Sequence, residues 1–239
     1  MNIFFQSLAA VNRCASVVPR HDGRIIWLTY EPTGKIEKTI MMVGKGITYD
    51  TGGADIKTDM KMAGMSRDKC GAADIAGFMK VASILKPKNV KIVCAMAMVR
   101  NSVGSDAYVA DEIFTSRAGV RLRVVNTDAE GRMAMADVLA HMKEKALNEI
   151  NPHLMTVATL TGHARMALGN YTVKIIPTLC IGVISIVDCT LHNEDPHQKM
   201  SVFRPAIRCL PAKAAQKQKL FRISAFYCKY NSYDIIIFF

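Results

Sequence analysis

No Cys-x-x-Cys pair, no His-Glu-x-x-His and no Gly-x-x-x-x-Gly-Lys-Ser/Thr occurs anywhere in the 239 residues. The first absence removes the zinc ribbon and the second the histidine-based metallopeptidase helix. The third removes the phosphate-cradling loop. Gly44-Lys45-Gly46 does not extend to Gly-x-Gly-x-x-Gly, so a dinucleotide fingerprint is missing as well. Long hydrophobic runs are also lacking. The longest, Ile175 to Val187, is broken by Pro177 and Gly182 and is too short to span a bilayer. No basic leader precedes the short apolar patch Ile3-Phe4-Phe5, which makes it a poor signal peptide. Seven cysteines, odd in number and widely spaced, fit a reduced intracellular chain better than a disulfide framework. The expectation is a cytoplasmic protein with no membrane partner.

Acids are in short supply, at 20 Asp+Glu against 31 Lys+Arg, for a formal net charge of +11. A basic balance can signal nucleic acid, but only clustering makes the signal informative. Here the bases are scattered. The densest run, Lys213, Lys217, Lys219 and Arg222, carries no recognition motif, so no nucleic-acid partner is expected. With 50% hydrophobic and 21% charged residues, the composition is that of a globular chain rather than a disordered one.

Along the chain, a short helix is expected over residues 7–18. Arg24 to Tyr30 and Lys38 to Val43 read as strands, with a turn at Gly34 and a glycine-rich loop from Gly44 to Gly53. An Ala- and Met-rich helix spans about Cys70 to Leu85 and stops before Pro87. The continuous apolar run Val90 to Met98 is that of a strand buried on both faces. Residues 100–120 read as loop and Arg121 to Val125 as strand. A helix follows over about Glu130 to Asn148, and a strand over Leu154 to Leu160. Strands alternating with helices predict an α/β fold: a largely parallel, mixed sheet with helices on both faces, and a site at the strand C-terminal ends. From about residue 172 the pattern changes to β-like apolar runs at Leu179 to Val187 and Ile235 to Phe239, around a basic middle.

Two loops concentrate the chemistry. One runs Gly44-Lys45-Gly46-Ile47-Thr48-Tyr49-Asp50-Thr51-Gly52-Gly53-Ala54-Asp55-Ile56-Lys57 and continues to Asp68. The other reads Asn126-Thr127-Asp128-Ala129-Glu130-Gly131-Arg132. Taken singly, Asp128 and Glu130 read equally as acids at a helix N-terminus, favoured by its dipole. Jointly, Asp50, Asp68, Asp128 and Glu130 would set four carboxylates at strand ends, where they repel one another unless cations balance them. Two divalent ions would do so, and oxygen ligands suit manganese, magnesium and zinc. A metal pair about 3.5–4 Å apart can activate a shared water. Met60, Met62 and Met65 read as core filler and Cys70 as packing, while Asp55 lies beside the site without an assigned role.

Both loops resemble the signature segments of the leucyl (cytosol) aminopeptidase family. They are similar above all to the branch that reads Tyr-Asp-Thr-Gly-Gly-Ala-Asp-Ile-Lys, and Asn-Thr-Asp-Ala-Glu-Gly-Arg is the family's heptapeptide. The resemblance covers roughly residues 7 to 170. It implies a metallopeptidase that hydrolyses N-terminal residues from peptides with a water activated by two divalent metal ions, zinc or manganese. Lys45, Asp50, Asp68 and Glu130 would hold the tighter ion. Asp50, Asp128 and Glu130 would hold the more exchangeable one. Lys57 would polarise the scissile carbonyl, and Arg132 would hold a bicarbonate that shuttles protons. Thr159, Leu160 and Gly162, in the segment Ala158 to Gly162, would line the substrate. The resemblance also implies a homo-oligomer, a hexamer in the family. It leads to a division into a partial catalytic domain at 1–171, without the family's N-terminal domain, and a tail at 172–239 that matches nothing in the family. A non-catalytic fragment that binds metal or pairs with a full-length subunit is the alternative.

Overall fold

A computed structural model describes residues 5–162 together with the backbone of four strands beyond them. The order is α1 (Gln6–Ser16), β1 (Arg24–Tyr30), β2 (Lys38–Asp50), α2 (Cys70–Leu85), β3 (Val90–Asn101), β4 (Ile113–Thr115), β5 (Arg121–Arg123), α3 (Glu130–Ala146) and β6 (Pro152–Ala158). Then come β7 (Lys174–Pro177), β8 (Ile184–Val187), β9 (Ala225–Tyr230) and β10 (Tyr233–Phe238). Six strands form one sheet in the order β1-β3-β2-β6-β8-β7, and β4 with β5 and β9 with β10 form two separate pairs. The central strands β3, β2, β6 and β8 are parallel, while β1 and β7 close the edges antiparallel. The sheet is therefore mixed, with a parallel centre, as the alternation of strands and helices requires.

Strand periodicity divides the core in two. Met41, Val43, Val93, Ala95, Ala97 and Leu154 point to one face, where α1 and α3 cover them with Leu8, Val11, Val138 and Met142. Met42, Ile92, Cys94, Met96 and Val157 point to the other, under Ala72, Ile75 and Ala82 of α2. A strand covered on both faces has no reason to alternate with polar residues, which accounts for the unbroken run in β3. On the first face Asp137 of α3, fully buried, accepts the backbone N–H of Ser7 at 2.8 Å and that of Arg117 at 2.8 Å. It thereby satisfies one of the free donors in the first turn of α1.

One expectation is corrected. The stretch from Gly44 is not a loop: β2 continues through Gly44-Lys45-Gly46 to Asp50, paired with β3 as far as Asn101. Glycine is a weak strand former, but here it is required by packing. A Cβ on Gly44 would lie 2.8 Å from Ile75 Cδ1 and 2.9 Å from the Gly71 carbonyl oxygen, while one on Gly71 would lie 2.1 Å from the Val157 carbonyl. Glycines thus let α2 settle directly on β2 and β6. The register slips between Ile47 and Asp50, at a bulge that re-aims the strand end. The helix α2 ends as Lys86 turns left-handed (φ 48°) ahead of Pro87. The short β4, in the stretch read as loop, pairs antiparallel with β5. Among the described residues no helix is long and apolar enough to cross a membrane. The expected tail at 172–239 lies, but for the backbone of β7 to β10, outside the described residues.

Candidate metal centre

The acids reach the site from separate elements. Lys45 and Asp50 lie on β2, the second at its C-terminal end. Asp68 follows a single turn of 3-10 helix at Met65–Arg67, just before α2. Asp128 lies in another such turn, Thr127–Ala129, which Asn126 caps by accepting the Asp128 N–H at 2.7 Å. Glu130 is the first residue of α3, where the helix dipole favours a negative charge. The loops that carry these groups meet at the C-terminal edge of the parallel strands.

The structure gathers them into two touching groups. Carboxylate oxygens of Asp50, Asp68 and Glu130 all lie within 4.8 Å of one another, and all three residues are buried. Lys45, 3% exposed, sits among them with Nζ 2.7 Å from Asp68 Oδ1, 3.0 Å from Glu130 Oε1 and 3.0 Å from the Thr159 carbonyl. In the second group Lys57 Nζ donates to Asp50 Oδ2 at 2.9 Å and to Asp128 Oδ1 at 2.5 Å. Asp50 belongs to both groups, the position required of a bridging ligand. All five residues expected to bind metal, together with Lys57, are therefore brought into one connected cluster.

Electrostatics at the cluster follow from burial and crowding. Burial, reinforced by Asp50 and Asp68 and opposed by Lys45, pushes the Glu130 carboxyl up to about 8. Asp128 is also raised, by burial first and by Asp50, with Lys57 opposing. Burial works against the Lys45 ammonium, but the charges of Glu130 and Asp68 together outweigh it and raise its pKa. Lys57 is raised in the same way: burial is overcome by its hydrogen bonds to Asp128 and Asp50. Arg132, one turn into α3, is lowered by burial, while Glu130 acts in the opposite sense.

The residues fit the binding of a divalent cation. Asp68 Oδ2 and Glu130 Oε2 are buried acceptors without a hydrogen-bond partner, an expensive arrangement for a carboxylate unless a cation completes it. The donor set is carboxylate oxygen plus one amine nitrogen, suited to hard or borderline ions. Lys45 can serve as a ligand only as the neutral amine, and an adjacent dication lowers an amine's pKa.

Of the expected substrate residues, Thr159 touches the cluster: its hydroxyl donates to Asp68 Oδ1 at 2.9 Å and its carbonyl receives Lys45. Leu160 packs at the edge of the α1–α3 core, and Gly162 is exposed. Four further residues support the site. Asp55 accepts the Thr127 N–H at 2.7 Å and binds its hydroxyl, tying one signature loop to the other. Asn101 reaches both Asp50 and Thr127, and the Tyr108 hydroxyl donates to the Thr127 carbonyl at 2.6 Å. Asp55 lies in the first loop, but no local spacing marks it as a clamp. Asn101 lies in the stretch read as loop and is seen to end β3 only in the structure.

Comparison with known proteins bears on the family and the fold. The model of the cytosol aminopeptidase family, catalytic domain, matches residues 3–204. A putative aminopeptidase of Caenorhabditis elegans is 54% identical over 167 residues, covering 70% of this chain and 32% of the relative. Structures of leucyl aminopeptidase from Trypanosoma brucei, one in complex with actinonin and one with bestatin, are 30% identical. They superpose with TM-scores of 0.66 and 0.65, over 72% of this chain and 32% of theirs. The chain thus spans about a third of the length of these relatives. Signature loops, mixed sheet and acidic cluster coincide with a family match over most of the sequence, and the chain belongs to the cytosol aminopeptidase family.

Proposed function

We propose that this chain forms the catalytic core of a metal-dependent aminopeptidase that removes N-terminal residues from peptides. The observation that carries the reading is the buried convergence of Lys45, Asp50, Asp68 and Glu130, with two carboxylate oxygens left without protein partners, in a member of this family. Lys45, Asp50, Asp68 and Glu130 would hold one divalent ion, and Asp50, Asp128 and Glu130 the other, zinc or manganese in each place. Bound there, such a pair supplies Lewis-acid polarisation and a water nucleophile active near neutral pH.

The chain's own groups do the rest. Lys57, held by its contacts to Asp50 and Asp128, would as an ammonium stabilise negative charge developing on the scissile carbonyl oxygen. Arg132 would hold a bicarbonate, which would supply a proton carrier there. Thr159, Leu160 and Gly162 line the side chain and free amine of the N-terminal residue, Thr159 from beside Asp68. Residues 1–171 would carry all the site residues of this core, and copies would associate as a homo-oligomer. The setting that goes with this reading is cytoplasmic.

The test is hydrolysis of a leucyl-anilide by the purified chain, after chelation and after re-addition of manganese or zinc. Activity that returns with metal is expected. A second reading is favoured by the coverage of only about a third of each relative: a chain that binds metal without turnover and pairs with a full-length subunit. Metal bound at two per chain with no hydrolysis would select it, and absence of metal binding would sink both.

A further inference from the structure

Asn101 and Asp50 lie side by side at the ends of adjacent parallel strands, β3 and β2, just beyond the bulge. The Asn101 side chain is fully buried and donates through Nδ2 to Asp50 Oδ1 at 2.8 Å and to the Thr127 carbonyl at 3.0 Å. Asp50 precedes Asn101 by 51 residues and Thr127 follows it by 26. One amide therefore bridges the two signature loops. Both neighbours are acceptors, so only the NH2 end of the amide can face them. The other end is sacrificed: Asn101 Oδ1 is buried without a hydrogen-bond partner. An asparagine kept only to fill space would turn or move to satisfy its carbonyl. This one is oriented by Asp50.

The remaining contacts of Asp50 show what that orientation achieves. Its Oδ1 takes the Asn101 amide and the Gly52 N–H at 2.9 Å, which leaves Oδ2 for the Lys57 side of the cluster. The carboxylate plane is thereby fixed with one oxygen toward the strands and one toward Asp128. Rotation about its last side-chain bond would carry it out of reach of one group or the other. From this we propose that Asn101 is a positioning residue of the metal centre, fixing the Asp50 carboxylate in the orientation that lets it serve both metal positions at once.

The inference rests on the two-metal reading above, and the experiment separates the two. Manganese(II) alone is titrated into the full chain as wild type, Asn101→Ala, Asn101→Ser and, as a control for loss of a buried polar contact away from the site, Asp137→Asn. Affinity and stoichiometry are read by calorimetry, and coupling between ions by electron paramagnetic resonance. Thermal unfolding in chelator checks the fold of each variant. Orienting partners of metal ligands typically contribute roughly 10–100-fold in affinity. Both Asn101 variants should therefore bind manganese roughly 10–100-fold more weakly, with the spectrum of an exchange-coupled pair giving way to that of isolated ions. Asp137→Asn should keep the wild-type affinity and spectrum. If one Asn101 variant fails to fold, the other decides. Wild-type affinity and coupling in a folded Asn101 variant would overturn the proposal, and so would an equal loss in Asp137→Asn. A wild-type chain that binds no manganese would overturn the two-metal reading itself, and this inference with it.

Discussion

Gly131 lies flat against Lys45: a Cβ built on Gly131 would come 2.3 Å from Lys45 Cε and 2.8 Å from Nζ. The lysine cannot swing aside freely, because Asp68, Glu130 and the Thr159 carbonyl surround its amine. Gly131→Ala should therefore displace the amine and spare the fold. We expect metal bound beside Lys45 to weaken by at least about 10-fold, the scale seen when the surroundings of a ligand are disturbed. Far-ultraviolet circular dichroism should stay unchanged. A Gly131→Ala chain with wild-type metal affinity would show that Lys45 is not a ligand.

Asp50 and Lys57 touch at 2.9 Å yet should fail differently when removed. Asp50→Ala deletes the group common to both halves of the cluster, so metal content and activity should fall together. Lys57→Ala should retain both ions and lose rate by about 100-fold or more, as with loss of one electrophilic stabiliser. Metal analysis beside steady-state kinetics distinguishes the cases, and equal metal loss in both variants would contradict the assigned roles.

Stability in chelator should fall as the solution becomes alkaline. Burial raises Glu130 from its ordinary 4.5 to about 8, so the fold binds that proton more tightly than the unfolded chain does. Its contribution is complete below about pH 4.5 and is lost as pH rises through about 8. Lys45, raised by Glu130 and Asp68 against the cost of its burial, keeps its proton across this window and does not offset the loss. Melting temperatures between about pH 5 and pH 9 should drop more steeply for wild type than for Glu130→Gln, whose side chain cannot ionise. Parallel curves would refute the assignment.

Asp137 gives a prediction about the scaffold. Replacing it by Ala strands the buried N–H of Ser7 and that of Arg117, at a cost of roughly 2–4 kcal/mol for the two. Chemical denaturation should show the loss, concentrated in the docking of α1 on α3. A change under about 0.5 kcal/mol would mean that solvent takes over both donors.

The features legible in the sequence were those written locally. The apolar run of β3, the stop at Pro87 and the two signature segments each lie within a short window; the structure places the run and the stop as the sequence implies, and makes strand of the start of the first segment. What escaped depends on distant neighbours. Gly44 reads as a strand breaker until α2, nearly thirty residues on, is seen to need the space its missing Cβ leaves. The bond from Asn101 to Asp50, and that from Asp55 to Thr127, are set by folding and leave no spacing to recognise. Asp50, Asp68, Asp128 and Glu130 were found because a motif names them. The groups that hold them in place have no such label.

The two lysines seated among the acids act as counter-ions built into the chain. Lys45 and Lys57 each engage two acids at 3.0 Å or less, in a corner where carboxylates would otherwise face one another. A cation entering this corner would have to take the place of a proton or of an ammonium. Its binding would therefore release protons and strengthen as the solution becomes more alkaline.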